Sequence, residues 1–189
     1  MTRIAILIGS IRADSINLRL ARAIARLGPQ DWTWEHIAIN DLPLYSQDQD
    51  SAMQPPALRL KQRVEAADGL LFVTPEYNRS IPGVLKNAID IASRPYGKNS
   101  FAGKPAGVIG ASIGSIGTAL AQQHLRNVLA YLDVPTLGQP EAFIHFKEGL
   151  IDASGEISSQ GTREFIQQWV KAYTQFVEKH VSVRAEKAA

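Results

Sequence analysis

Three short stretches of this chain gather residues suited to holding a phosphate beside a flat ring. The first reads Gly9-Ser10-Ile11-Arg12-Ala13-Asp14-Ser15-Ile16-Asn17. Gly9 permits a sharp turn, Ser10, Ser15 and Asn17 carry short donors, and Arg12 adds a charged fork. A helical pattern begins at Asp14 or Ser15, so free backbone N–H groups and the helix dipole favour an anion at the same place. The set suits one phosphomonoester. It is not a Walker A loop, because no Gly-Lys-Ser/Thr follows, nor a dinucleotide fingerprint, because G-x-G-x-x-G is absent. Taken alone, an ordinary capped helix start with a solvated Arg12 explains the same residues.

The second stretch is Thr74-Pro75-Glu76-Tyr77-Asn78-Arg79-Ser80-Ile81-Pro82-Gly83. Two prolines stiffen it and Tyr77 offers a flat face. A rigid backbone here can present N–H and C=O groups to the edge of a planar ring. The plain alternative is a proline-rich surface turn. The third stretch, Gly110-Ala111-Ser112-Ile113-Gly114-Ser115-Ile116-Gly117, has three glycines that permit close backbone approach to a ligand. Helix–sheet packing would require the same glycines.

The elements around these stretches must bring them together. IAILI at 4–8 and LLFVT at 70–74 are short apolar runs, as expected of central parallel strands covered on both faces. AGVIGA at 106–111 is a small-residue strand, WTWEHIAI at 32–39 alternates in part, and a short fifth strand is expected between 134 and 144. Helical patterns lie between them. One spans about 14–27, with Leu18, Ala21, Ile24, Ala25 and Leu27 inward and Arg19, Arg22 and Arg26 on a solvated face. Others fall around 58–67, from Pro82 to about 93, at about 115–132 and at about 159–180, with 40–56 as loop. Strict strand–helix alternation predicts an α/β doubly wound parallel sheet in one domain, 1–181, followed by a flexible tail, 182–189. Such sheets bind ligands beyond the carboxyl ends of their strands, where strand order reverses. In the order 2-1-3-4-5 that point lies between strands one and three, beside the first two stretches.

Composition narrows the chemistry. Of 189 residues, 45% are hydrophobic and 20% charged, as in soluble globular domains, and the net charge of +2 is too small to argue for nucleic acid. The absence of cysteine removes disulfides, thiolate nucleophiles and cysteine-ligated metals. His36, His124, His145 and His180 lack metal-ligand spacing, so no metal site is expected. His124 and His145 read as packed or solvated, and Trp32, Trp34 and Trp169 as packing residues. No transmembrane run or secretory signal appears, which predicts a cytoplasmic protein without membrane association.

Together, GSIRADSIN at 9–17, LLFVTPEYNRSIPGVLKNAID at 70–90 and GASIGSIG at 110–117 resemble the NADPH-dependent FMN reductase family, which includes quinone, chromate and azo-dye reductases. The resemblance spans roughly residues 3–150 and implies a flavodoxin-like fold, five parallel strands in the order 2-1-3-4-5 with helices on both faces. It implies that Ser10, Arg12, Ser15 and Asn17 hold the FMN phosphate. Pro75, Glu76, Tyr77 and Asn78 would line the isoalloxazine, largely through backbone, with Ser112 and Gly114 on its other side. It implies a homodimer or homotetramer, with helix 83–93 a candidate interface. The expected activity is two-electron, ping-pong reduction of a quinone-like or other small electron-poor acceptor by NADPH or NADH. Flavin carries that chemistry, so no catalytic acid, base or nucleophile is required of the protein.

Two other readings compete. Gly110-Ala111-Ser112-Ile113-Gly114 fits G-x-S-x-G, with Asp133 and His145 following in the order of a serine hydrolase triad. That reading leaves the first two stretches unexplained. A flavodoxin-like electron carrier or FMN sensor is the other, but electron carriers of that type tend to be strongly acidic and this chain is slightly basic.

Overall fold

The computed structural model describes residues 1–188, with side chains through Val183. Its five strands are β1 (Arg3–Ile8), β2 (Thr33–His36), β3 (Gly69–Val73), β4 (Ala106–Ser112) and β5 (Phe143–His145). The helices are α1 (Ile16–Leu27), α2 (Pro55–Glu65), α3 (Gly83–Ala92), α4 (Ala119–Tyr131) and α5 (Gln160–Ala188). All neighbouring strands are parallel, in the order β2-β1-β3-β4-β5. The expected order is therefore the observed one.

Period-two alternation along the strands sorts the core onto two faces. Ile4, Ile6, Ile8, Leu71, Val73, Ile109 and Ala111 pack with α1 and with Ile166, Trp169, Tyr173 and Val177 of α5. Ala5, Leu7, Leu70, Phe72 and Val108 pack on the other face against α2, α3 and α4. The runs 4–8 and 69–73 are buried throughout, because helices cover both sides.

Several elements differ from expectation. α2 begins at Pro55, inside the stretch read as loop, because prolines are tolerated at the first helical positions, where an N–H has no intrahelical acceptor. The expected strand at 134–144 is split. Thr136 bridges Ala106, the chain loops out through Gly138-Gln139-Pro140, and pairing resumes when Phe143–His145 meets Gly110–Ser112. Prolines 135 and 140 cannot donate to a ladder, so continuous pairing fails. α5 runs on to Ala188, through most of the segment expected as a tail; residue 189 lies outside the described residues.

The arginine row of α1 is not simply solvated. Arg19 donates to the Ile151 carbonyl, Arg22 donates to the Ala153 carbonyl at 2.6 Å, and Arg26 bonds Glu156 at 3.0 Å. Gly155, at φ +88°, lies so close to the Arg22–Ala23 backbone that any Cβ there would clash. The row therefore straps segment 151–156 along α1. Trp32 and Trp34 stack at 5.8 Å, and Trp169 stacks on Tyr173 at 5.4 Å, as packing residues.

Candidate functional site

The three stretches converge at the carboxyl ends of β1, β3 and β4. Ser10, Arg12, Ser15, Ile16 and Asn17 form one wall of a cleft of about 300 Å³, and Pro75, Glu76, Tyr77, Ala111, Ser112 and Ile113 the others. A larger open groove of about 520 Å³ runs between the end of α1 and α5, away from the carboxyl ends of the strands.

At the anion end, Ser15 is the N-cap of α1, and its hydroxyl accepts the Leu18 N–H at 3.3 Å. Ile16 and Asn17 open the helix, so their N–H groups have no intrahelical acceptor. Arg12 is exposed and has no carboxylate at ion-pair distance among the described residues. The nearby Asp14 carboxylate is held by Arg19, and this bond keeps the Asp14 carboxyl below its usual range. The loop thus keeps one cation free while the adjacent anion is neutralised.

Asn17 does something its sequence position did not announce. Its side chain is buried, donates to the Ala111 carbonyl at 2.9 Å and accepts the Ala111 N–H at 2.9 Å. The amide fastens the start of α1 to β4, tying the first stretch to the third.

The second stretch is held equally firmly. Tyr77 and Ser80 exchange two backbone bonds of 3.0 Å, closing a tight turn around Asn78 (φ 51°) and Arg79 (φ 65°). Left-handed backbone at two non-glycine residues costs on the order of 2 kcal/mol and persists only where surrounding bonds enforce it. The Glu76 carboxylate accepts the N–H groups of Leu120 (3.0 Å) and Ala121 (3.1 Å), capping α4 from outside. Ser80 meets His124 at 3.0 Å, so that histidine is bonded to the loop and neither packed nor merely solvated. Tyr77 stays half exposed at the cleft. Asn78 is exposed at the crest of the turn and is not among the residues of the cleft wall.

The glycines of the third stretch divide by role. A Cβ at Gly110 would strike the Thr74 carbonyl oxygen and the Thr118 hydroxyl, and Gly117 has φ +66° against Phe143. Packing demands both. At Gly114 the only neighbour of a Cβ would be the Ser112 hydroxyl at 3.6 Å, so this glycine alone leaves open space. Ser112 itself accepts the Gly114 N–H at 3.1 Å. Ile113, 80% exposed in the cleft wall, was missed by sequence reading, since an isolated apolar residue carries no sign of whether it faces core or ligand.

The geometry disposes of the hydrolase triad. Ser112 ends β4 and pairs in register with His145, at the carboxyl edge of the sheet. Asp133 lies at the opposite edge, where its carbonyl accepts from Gly103 and the following residues run beside Ala106 at the start of β4. Among the described residues no cluster of side chains suits a metal ion.

Residues 2–149 match the family described as NADPH-dependent FMN reductase. The chain belongs to that family. It is 52% identical over 175 residues to a 2-hydroxy-1,4-benzoquinone reductase from a Burkholderia species, covering 93% of this chain and 96% of the relative. A quinone reductase of Pseudomonas putida is 40% identical over 181 residues, 95% of this chain and 97% of its own. Among solved structures, the flavoenzyme NAD(P)H:acceptor oxidoreductase FerB of Paracoccus denitrificans superposes with a TM-score of 0.91 at 42% identity, over 95% of this chain and 99% of FerB. This NADPH-dependent FMN reductase family member is accordingly a flavin-dependent oxidoreductase that draws on a reduced nicotinamide nucleotide. Its cleft suits FMN chemically, with a free cation and open helix N–H groups at one end and the flat, half-exposed Tyr77 at the other.

Proposed function

We propose that the protein uses NAD(P)H to reduce quinones and similar flat, electron-poor acceptors by two electrons at the β1–β3–β4 cleft. The carrying observation is the convergence of an anion end and a flat-walled end in one pocket. FMN supplies the chemistry when bound, accepting hydride from the nicotinamide and passing two electrons to the acceptor. Ser10, Arg12, Ser15 and the N–H groups of Ile16 and Asn17 would bind its phosphate, with the Asn17 side chain positioning the loop. Pro75, Glu76 and Tyr77 would flank the ring mainly through backbone, with Asn78 holding the turn and Ser112 and Gly114 on the opposite side. Tyr77 and Ser80 spend their N–H groups on each other, so the remaining N–H groups of the 76–80 turn would have to stabilise added negative charge at the ring edge, and the Glu76 and Ser80 anchors would limit the reorganisation this needs. The names of the quinone-reducing relatives support the acceptor class.

The test is anaerobic. FMN-loaded protein should bleach on NADPH and recover colour on adding benzoquinone, with parallel steady-state lines as acceptor is varied. Intersecting lines, or bleaching without reoxidation by quinone, would sink the reading. Arg12→Ala removes a charge-assisted bond of about 1.5–3 kcal/mol, weakening FMN binding by roughly one to two powers of ten. Unchanged affinity would remove Arg12 from the site.

A homodimer or homotetramer fits the exposed apolar residues Ile113, Ile116 and Phe143 around the cleft and the accessible outer side of α3; sedimentation velocity measures it. No helix among the described residues is long and apolar enough to cross a membrane. We place the protein in the cytoplasm on the ground that its reductant is a cytosolic nucleotide.

A further inference from the structure

Beside the cleft, on the β2 side of the first loop, lies a second pocket of about 170 Å³. Ser10, Arg12 and Ala13 form one wall, and His36 and Asn40 stand on the other. Ser10 and Arg12 thus belong to both cavities. The pocket is far too small for a nucleotide but ample for one phosphate and part of its sugar.

Its surroundings favour an anion. Each nearby carboxylate is already paired: Asp14 with Arg19, Glu35 with Arg63, and Asp41 with Arg59. Arg12 has no such pair, and the Arg22 guanidinium is spent on the Ala153 carbonyl, which leaves its charge uncompensated. His36 ends β2, and Asn40 follows where the chain leaves the sheet. Dinucleotide-binding sheets with a G-x-G-x-x-G first turn read the adenosine ribose at the end of the second strand, with a cation nearby when that ribose is phosphorylated; this chain lacks that turn but leaves the same strand end open beside Arg12. Here neither His36 nor Asn40 is an acid that would accept from a free 2′-hydroxyl and repel a phosphate.

We propose that this pocket receives the 2′-phosphate of NADPH, with His36 and Asn40 as donors and Arg12 as the cation between the two cavities. The proposal rests on the reading of the cleft as the flavin and nicotinamide site. It assigns coenzyme preference to His36 and Asn40, which play no part in holding FMN, and leaves Arg12 shared between the two cavities. Although His36 is exposed, partial desolvation and the Arg22 cation hold its imidazole below the ordinary pKa.

The experiment compares NADPH and NADH as reductants of the FMN-loaded enzyme, in the wild type and in His36→Ala and Asn40→Asp, with benzoquinone as acceptor. Retained FMN is measured separately by absorbance. Asn40 is exposed, so the second variant adds a repelling charge without disturbing the core. The expected result is a KM for NADPH raised about tenfold or more in either variant, with KM for NADH and FMN content unchanged. Inorganic phosphate should compete with NADPH in the wild type and leave NADH oxidation untouched, which separates a true phosphate seat from a general charge effect. Equal shifts for both coenzymes, or no shift for either, would overturn the assignment. Loss of FMN with unchanged coenzyme discrimination would also overturn it, by giving the pocket to the flavin phosphate. A wild type that binds no FMN at all would instead defeat the underlying cleft reading.

Discussion

Replacing Asn17 by alanine separates anchoring from ligand binding. Asn17 and Ala111 are 1% and 0% exposed, and the two bonds between them are 2.9 Å each. Truncation removes both partners of Ala111, whose N–H and C=O then stay buried in the cleft floor. An unsatisfied buried backbone group costs about 1–3 kcal/mol, so the pair should cost about 2–6 kcal/mol. A domain stabilised by about 5–15 kcal/mol still folds, though with much of its margin gone. With a urea m-value of about 2 kcal/mol/M, the midpoint should fall by about 1–3 M at unchanged m. Asn17→Asp keeps the acceptor for the Ala111 N–H but sets a second oxygen against the Ala111 carbonyl and places negative charge beside the anion end. It should lose both stability and FMN affinity. Equilibrium urea unfolding by tryptophan fluorescence, without FMN, reads the first effect. A midpoint shift below about 0.3 M for Asn17→Ala would refute the anchoring argument, since such a shift is smaller than one lost buried bond.

Other positions test other parts of the architecture. Gly110→Ala forces a methyl group against the Thr74 carbonyl and Thr118, and should destabilise by about 3 kcal/mol in a thermal melt, whereas Gly114→Ala should be close to neutral for folding. Glu76→Ala removes the external cap of α4 at a cost of about 1–2 kcal/mol, and Glu76→Gln should recover roughly half, the hydrogen bonds without the charge; identical losses in both variants would contradict this division. Arg22→Ala frees the Ala153 carbonyl, so amide exchange across 151–156 should accelerate about fivefold, for a loss of about 1 kcal/mol, while the rest of the chain exchanges as before.

Much of this protein was legible in the chain because its signals are local. Apolar runs at 4–8 and 70–74 specify buried strands, since only a doubly covered sheet has a use for them. Ser15 specifies a helix start, and strand–helix alternation specifies a parallel sheet. The three polar stretches could be named as one site because a parallel sheet brings every strand's carboxyl end to one edge. The split of the fifth strand was less legible, because the Thr136 bridge and the Phe143–His145 ladder are pairings with β4 that a solitary apolar pattern does not encode.

What the sequence determined by itself is therefore the class of sheet, the edge at which the three polar stretches gather, and the residue types that meet there. Only the tertiary structure decided what each side chain does at that edge. Asn17 looks like a donor beside Ser15, yet its amide is taken by Ala111, 94 residues further on. Arg19, Arg22 and Arg26 look like a solvated row, yet they strap down a segment about 130 residues away. Glu76 looks like a ligand in its loop, yet it caps a helix from another crossover. Except for Arg26, which meets the Glu156 carboxylate, the deciding partner is a backbone group. Every residue carries the same N–H and C=O, so nothing in the sequence marks which of them a side chain will meet until the fold brings the two together.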